Sequence, residues 1–234
     1  MNGNAPTSDQ MTPASQACFR FWFDDAESAA DILARHFGAD TLPITIKRNG
    51  MDLHLAPASG NIDTPQYIAT NPIDLPDGPS LELRLVEGGS ASFLTSVKAL
   101  SALAAEIARS AQAKAIGWSE AGTITGSEFF IKVVQSWEDG GAFPAMVLVA
   151  LQGDGDGGLI TRGLSPFCEQ ELVLDLAPMP MPEQAKIAIR MIDHLAAEGA
   201  VTENEIVEVD GFGSFELDPR DSGKKIYLRR SPFP

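Results

Sequence analysis

The stretch from residue 145 to residue 176 constrains the fold most, because it carries the densest strand signal of the chain. Residues 145–151 are an unbroken apolar run, which is typical of a strand buried on both faces and also of a short buried helix. The glycine-rich turn GDGDGG that follows favours the strand, and residues 159–162 then form a second strand. After the corner GLSPF, leucines alternate with Glu171, Val173 and Asp175, as in a half-buried strand. Three strands at the centre of a sheet are therefore predicted.

The N-terminal part predicts a strand, a helix and a hairpin. Residues 17–23 alternate as a strand with phenylalanines on one face, and an apolar stripe at helical spacing follows over 26–37. Asn49-Gly50 is the preferred two-residue loop of a β-hairpin. The register that this loop sets places His54 on the polar face, opposite Thr45 and beside a Lys47/Asp52 pair. A structural role is therefore favoured for His54.

The rest of the chain shows the same alternation typical of strands and the same apolar spacing typical of helices. We predict strands at 81–86, 113–118, 205–209, 212–217 and 225–229, a long helix with its apolar stripe over 97–111, a helix opened by a Thr125/Glu128 capping box, and a helix that starts at Pro182. Five prolines between residues 56 and 80 exclude regular structure from most of that segment.

These elements give an α+β fold class, with a mixed, largely antiparallel sheet and about four helices packed on it. The alternative is a division into two sheet-and-helix halves. Residues 1–16 read as a disordered N-terminal tail, and residues 17–234 as a single α+β domain with a candidate sub-division near 88–95.

The composition limits which partners and which cellular compartment we expect. Seventeen basic against thirty-two acidic residues give a net charge of −15, so the surface repels nucleic acid and anionic membrane at long range. The excess acid serves solubility, or it forms a surface that meets a basic partner. The chain shows neither a signal peptide nor a run of roughly eighteen apolar residues that would span a bilayer. We therefore expect a cytoplasmic protein in which Cys18 and Cys168 are buried and reduced.

The sequence contains no complete metal-binding, phosphate-binding or nucleophile motif. Asp154 and Asp156 resemble the first half of a calcium loop, but no glutamate follows at the required spacing. The three histidines lie far apart, and no phosphate-binding glycine motif opens a helix. Cys168 lies beside Glu169, whose negative charge raises a thiol pKa. We predict no metal, no cofactor and no catalytic residue, and we expect the basic residues at 224–230 to form surface ion pairs.

Two short motifs carry a family resemblance. The pattern T-x-G-L-x-x-F-x-x-x-E-L resembles the signature of the DUF4261 family of bacterial proteins, and KAIGWSEAGTITGSEFF at 114–130 is similar to a second segment of that family. The residues that match the first pattern are Thr161, Gly163, Leu164, Phe167, Glu171 and Leu172. The chain departs from the family at Cys168, where a glycine is expected. The resemblance implies an α+β bacterial domain of unknown function and transfers no catalytic residue. The same corner also resembles one in suppressor-of-fused-type proteins, some of which act as immunity or interaction modules.

The predicted site lies where two turns meet. The corner at 161–171 and the loop at 118–128 both leave buried strands, and loops held by a rigid sheet concentrate binding residues. The candidate binding residues are Arg162, Thr161, Glu169, Glu171, Trp118 and Glu120. Arg162 either pairs with Glu169 or Glu171, or presents its guanidinium to a carboxylate or phosphate of a ligand. In the second case Trp118 supplies a flat apolar wall and Glu120 an acceptor.

Three functional hypotheses follow from the sequence. The first is a non-enzymatic cytoplasmic module, of an immunity or regulatory type, that binds a protein partner. The second is a hydrolase or transferase whose carboxylates, Glu120, Glu169 and Glu171, meet only in the fold. The third is a homo-oligomeric scaffold element. The sequence does not decide among them, because one fold class serves many functions.

Overall fold

A computed structural model of the chain describes residues 17–58, 68–69, 73–77, 79–87 and 91–231. The predicted disordered tail at 1–16 and much of the proline-rich segment at 56–80 lie outside the described residues. Within the described ranges, no helix is long and apolar enough to cross a bilayer.

The described residues form two β-sheets and six helices. The strands of the first sheet are β1 (Cys18–Trp22), β2 (Ile44–Arg48), β3 (Met51–Pro57), β4 (Ile68–Ala69), β5 (Leu81–Glu87), β6 (Ala115–Trp118) and β7 (Thr123–Gly126). The strands of the second sheet are β8 (Ala150–Gly153), β9 (Leu159–Arg162), β10 (Glu171–Leu174), β11 (Glu205–Val209), β12 (Gly213–Arg220) and β13 (Lys225–Arg230). The helices are α1 (Ala26–His36), α2 (Phe93–Ser110), α3 (Ser127–Glu138), α4 (Ala145–Leu148), α5 (Ser165–Cys168) and α6 (Met181–Glu198).

Both sheets are mostly antiparallel. The first has the order β2-β3-β5-β1-β6-β7-β4, and the second has the order β11-β12-β13-β10-β9-β8. Only the β4/β7 and β10/β13 pairs of the described strands are parallel. The α+β class is confirmed, in the form of two sheet-and-helix halves; the single sheet with about four helices is therefore not the observed arrangement.

The N-terminal hairpin follows its sequence prediction. Asn49 and Gly50 both have positive φ, at 52° and 75°, as a two-residue turn of this kind requires. Thr45 lies opposite His54 in the pairing of β2 with β3. Lys47 and Asp52 also face each other, with Nζ and Oδ2 2.9 Å apart. His54 therefore lies in the predicted register.

One hydrophobic core runs through both halves. Phe19 and Phe21 of β1 are fully buried at its centre, and the same cluster includes Phe215 and Leu217 of the second sheet. Phe167 of α5 contacts two aromatic rings from other parts of the chain. Its ring centroid lies 5.1 Å from that of Phe93, which is in α2, and 4.9 Å from that of Phe143. The helices thus join the two sheets through apolar contacts, which the hydrophobic effect stabilises.

Two local predictions are wrong, and both have a physical reason. Residues 145–148 form the helical turn α4, and the strand begins only at Ala150. An unbroken apolar run has no alternation of apolar and polar residues that distinguishes a strand from a helix. The capping box is also wrong, because Thr125 lies inside β7 and the N-cap of α3 is Gly126. The hydroxyl of Thr125 instead faces the carbonyl of Ile116, at 3.5 Å.

Candidate functional site

The two segments of the predicted site meet in the structure. Gly163 lies so close to Ala121 that a Cβ added to Gly163 would stand 2.7 Å from the Cβ of Ala121 and 2.8 Å from its Cα. Gly163 also has a backbone φ of +87°, which residues other than glycine rarely adopt. We call this contact, between the 161–171 corner and the 119–122 turn of the β6/β7 hairpin, the joint. It connects the second sheet to the first.

Glu171 holds the corner together from within. Its Oε1 accepts the backbone N–H groups of Gly163 at 2.9 Å, Leu164 at 3.1 Å and Ser165 at 3.1 Å. Its Oε2 accepts the hydroxyl of Thr161 at 2.6 Å. The same Thr161 oxygen accepts the N–H of Leu172 at 2.7 Å. A carboxylate with this many donors is held firmly, because hydrogen bonds to charged groups are stronger than neutral ones.

Four residues of the T-x-G-L-x-x-F-x-x-x-E-L pattern therefore form the joint. Thr161 and Glu171 satisfy each other and the backbone, Gly163 permits the close approach to the first sheet, and Leu164 is fully buried. These contacts commit Thr161 and Glu171 to holding the corner. The motif that carries the family resemblance thus has a structural explanation at these positions.

Gln170 is a polar residue of the corner that sequence reasoning missed. Its side chain is buried, and its Nε2 donates to the carbonyls of Val201 at 2.9 Å and Gly223 at 2.8 Å. Its Oε1 accepts the N–H of Val201 at 2.7 Å. Gln170 therefore ties two distant loops to the corner. A single glutamine between two glutamates gives no pattern that would reveal this role in advance.

Arg162 is exposed at the end of β9. It forms no ion pair with Glu169 or Glu171, nor with any other described residue, so the first of the two roles that the sequence allowed for Arg162 is not observed. Glu171 is occupied by the amides of the corner. Glu169 is exposed and lies at the C-cap of α5 with φ 66°. After Phe167 the residue with positive φ is Glu169, whereas Cys168 lies within α5, so position 168 does not require a glycine.

Trp118 does not form a wall at the surface, contrary to the prediction. It pairs with Phe19 across β6 and β1, so the two side chains share the core face of the sheet. Trp118 is 1% exposed, and its ring centroid lies 4.7 Å from that of Phe19. Its indole therefore packs in the core and is not accessible to a partner.

Glu120 remains at the joint as a half-buried carboxylate. Burial alone raises its pKa, and no described residue forms a hydrogen bond or an ion pair with it. Glu120 and Arg162 each lie one residue from the Ala121/Gly163 contact. Their Cα atoms are therefore no more than about 12 Å apart, because consecutive Cα atoms are separated by about 3.8 Å.

The two cysteines are free and buried, as predicted. Burial is the main cause that raises the pKa of the Cys18 thiol to about 12, and likewise that of Cys168 to about 11. A thiol with such a pKa is protonated near neutral pH and is a poor nucleophile. Neither cysteine therefore offers nucleophilic chemistry.

The acidic loop is closed by its own hydrogen bonds, and two residues of the basic segment form ion pairs. Asp154 Oδ1 accepts the N–H groups of Asp156 at 2.9 Å and Gly158 at 2.8 Å, which closes the glycine-rich turn. In the basic segment, Arg229 pairs with Asp175 and Lys225 with Asp221, both at 3.3 Å. The expected surface ion pairs are thus confirmed for these two residues. Among the described side chains, no three of His, Cys, Asp or Glu group as metal ligands would.

Comparison with known proteins adds no relative to these observations. No protein-family model, no curated protein and no solved structure matches the chain. The function must therefore be inferred from the geometry of the residues described above.

Proposed function

We propose that the protein is a non-enzymatic module that binds a protein partner at the joint, with Arg162 and Glu120 as the charged contacts. One observation carries this proposal. Two residues of opposite charge flank the Gly163/Ala121 contact, and neither has an ion pair within the described ranges. A complementary pair of charges on a partner would satisfy both.

The joint is a suitable platform because it is rigid. The amides of residues 163–165 and the hydroxyl of Thr161 are already satisfied by Glu171. The backbones of the two segments are in direct contact at Gly163. Residues held on such a support lose little conformational freedom on binding, so less of the interaction energy is spent on ordering them.

The charges indicate the kind of partner. Arginine is enriched among the residues that dominate interface energies, and its planar guanidinium matches a carboxylate. Glu120 would accept a lysine or arginine of the same partner. The net charge of −15 would steer a predominantly basic protein to the surface at long range. The partner is therefore expected to be basic overall, with an acidic residue placed to meet Arg162.

The alternative hypotheses have less support from the geometry. Of the three carboxylates in the hydrolase or transferase hypothesis, Glu171 is committed to the corner by four donors. Glu169 is exposed at the end of α5, and no contact brings it to Glu120. The scaffold hypothesis requires that the partner be a second copy of this chain, and the experiment below separates that case.

The test compares Arg162→Glu with Lys224→Glu. Lys224 is exposed and forms no ion pair in the described part of the chain, so the second variant makes the same charge change elsewhere. Each immobilised protein is exposed to a lysate of the source cells, and captured proteins are identified and then titrated in purified form. We expect a stoichiometric partner whose affinity falls at least tenfold with Arg162→Glu and less than twofold with Lys224→Glu.

A charge reversal on the partner completes the test. An acidic residue of the partner changed to lysine should restore binding to Arg162→Glu, which would identify the direct contact. Equal losses with the two variants would exclude the joint as the binding surface. Light scattering that shows a dimer or larger assembly of the wild-type chain, abolished by Arg162→Glu, would favour the homo-oligomeric scaffold instead.

A further inference from the structure

A pocket of about 220 Å³ lies between α3, α6 and the segment 142–147. We call it the α3–α6 pocket. Apart from Ser136, its described lining residues are all apolar. They include Val133 of α3 and Ile189 of α6, which are half-buried, and Met146, which is 40% exposed. The pocket therefore leaves apolar surface in contact with water, and an apolar group that covered this surface would be stabilised there.

The wall formed by residues 141–144 is held on both helices. Gly141 lies so close to the end of α3 that a Cβ added to it would stand 2.7 Å from the backbone oxygen of Ser136. On the other side, Oδ1 of Asp193 in α6 accepts the N–H of Phe143 at 2.7 Å. The pocket is therefore formed before any ligand arrives, so binding requires little ordering of the chain.

The volume of the pocket limits the size of the apolar group. A buried apolar cavity of roughly 150 Å³ binds benzene, which has six carbons. By the same proportion, the volume of about 220 Å³ accommodates a hydrocarbon group of about eight carbons. A much longer chain would leave its additional methylene groups in water.

Two lysines flank the mouth of the pocket. On α3, Lys132 lies three residues after Phe129 and four before Ser136, which both line the pocket. Helical spacing places Lys132 beside them, on the side away from the buried residues of α3. On α6, Lys186 lies three residues before Ile189, again away from the buried side of its helix. Both lysines are exposed, and neither forms an ion pair within the described ranges.

Nearby carboxylates do not neutralise these two lysines. Glu128 and Glu183 lie close before them on the same helices, but neither forms an ion pair with them. Asp193 is engaged by the N–H of Phe143. The net charge of −15 arises over the whole surface, and charges more than about 8 Å away are largely screened at physiological ionic strength. The mouth of the pocket therefore attracts an anion locally.

We propose that the α3–α6 pocket binds a medium-chain carboxylic acid of about eight carbons. Its hydrocarbon chain fills the apolar pocket, and its carboxylate lies at the mouth, between Lys132 and Lys186. The carboxylate stays in contact with water there, so its binding does not require the large desolvation cost of a buried charge. The pocket shares no residue with the joint, so this inference goes beyond the proposed protein-binding function and does not depend on it.

The first experiment compares three probes with the same chain by calorimetry and by ¹H–¹⁵N NMR, below the concentrations at which they form micelles. Octanoate is the anion, octanol its neutral counterpart and octylamine the cation. We expect octanoate to bind at least threefold more tightly than octanol and at least tenfold more tightly than octylamine, which the lysines repel. Shift changes should centre on the amides of Val133, Ile189 and residues 145–147. Equal affinities of the three probes, shift changes centred elsewhere, or no binding would overturn the proposal.

Chain length tests the size of the pocket. From butanoate to octanoate the affinity should rise at least tenfold, because each added methylene group leaves water. From octanoate to dodecanoate it should rise less than threefold, because the additional methylene groups do not fit. An undiminished rise up to dodecanoate would contradict a pocket of this volume.

Variants then test the two lysines with a matched control. Lys132→Gln and Lys186→Gln should each weaken octanoate binding at least twofold, and the double variant at least fivefold, with octanol binding unchanged. Lys224→Gln makes the same charge change in the other half of the molecule and should leave octanoate binding unchanged. All three side chains are exposed, so the variants should fold, which their melting temperatures would check. A double variant that binds octanoate as tightly as the wild-type protein would contradict the proposal.

Discussion

Among the described residues, two hairpin strands lead into a helix, and the polar groups at the two helix starts are satisfied differently. At the joint, β9 leads to α5, and Glu171 returns from β10 to accept three amides and a hydroxyl. At the start of α3, to which β7 leads, no side chain caps the helix and Ser127 Oγ has no partner. Buried polar groups that their own chain satisfies stabilise the fold, whereas those left unsatisfied lower its stability.

The largest effect should come from Gly163→Ala. The added Cβ would meet the backbone of Ala121 at a position where φ is already +87°. We expect a loss of about 4 kcal/mol in the free energy of unfolding, measured by urea denaturation. Gly155→Ala is the control, since Gly155 has φ +92° but no atom within 4 Å of an added Cβ. It should cost only about 1 kcal/mol, and equal losses would show that close approach contributes nothing.

Glu171→Ala should remove the cap of the corner. It leaves the amides of residues 163–165 and the Thr161 hydroxyl without their acceptor. We expect a loss of about 3 kcal/mol, because unsatisfied buried donors retain their desolvation cost. The exposed Glu203 serves as the control, and Glu203→Ala should change stability by less than about 0.5 kcal/mol. A loss below about 1 kcal/mol for Glu171→Ala would mean that water replaces the carboxylate.

Removal of one hydroxyl at each place compares the two helix starts directly. Thr161→Val deletes a group that donates to Glu171 and accepts from Leu172, so it should cost about 2 kcal/mol. Ser127→Ala deletes a hydroxyl without a partner, and it should leave stability unchanged or raise it by up to about 1 kcal/mol. Thermal and urea unfolding of both variants would check this difference. A larger loss for Ser127→Ala than for Thr161→Val would reverse our interpretation of the two sites.

Glu169→Gly should stabilise the protein slightly. Glu169 has φ 66°, and glycine adopts this region without the steric cost of a Cβ. We expect a gain of about 0.5 to 1 kcal/mol in urea unfolding. The same change at Cys168, which lies within α5 and is buried, should instead destabilise the fold. A loss with Glu169→Gly would indicate that its side chain makes a stabilising contact.

The smallest effect should be the pH dependence of Glu120. Burial raises its pKa, so its ionised form destabilises the folded state at pH values above that pKa, and the effect disappears as the group becomes protonated. We expect Glu120→Gln to have the higher melting temperature at about pH 7.5, with the difference shrinking toward zero by about pH 3.5, below the ordinary glutamate pKa of about 4.3. A lower melting temperature for the variant at neutral pH would reveal a favourable partner of Glu120.

Some features were predictable because neighbouring residues encode them. The Asn49-Gly50 hairpin needs positive φ at two adjacent positions and a matching cross-strand register, and both can be read from about ten consecutive residues. The apolar stripes of α1 and α2 are also local patterns, as is the proline near the start of α6. Periodicity further identified β5, β6, β11 and β13, and with them the α+β class.

The site was predictable only in its location. The sequence placed the 161–171 corner beside the turn that follows Trp118, and the Gly163/Ala121 contact agrees with this. The roles of the residues were not accessible in this way. The cap that Glu171 supplies to amides six to eight residues before it has no fixed spacing. The Thr125/Glu128 pattern, in contrast, had the right spacing but lay partly in a strand.

Local sequence thus determined the strands, the helices and the tight turns, because each depends on the φ and ψ preferences and the periodic burial of adjacent residues. Tertiary structure decided that Trp118 is in the core, that 145–148 is helical, and that the side chains of Arg162, Glu120 and Ser127 have no ion-pair or hydrogen-bond partner among the described residues. Those outcomes depend on which distant segments pack together. Packing decides which donors and acceptors come within hydrogen-bond distance of each other, and no single segment of the sequence contains that information.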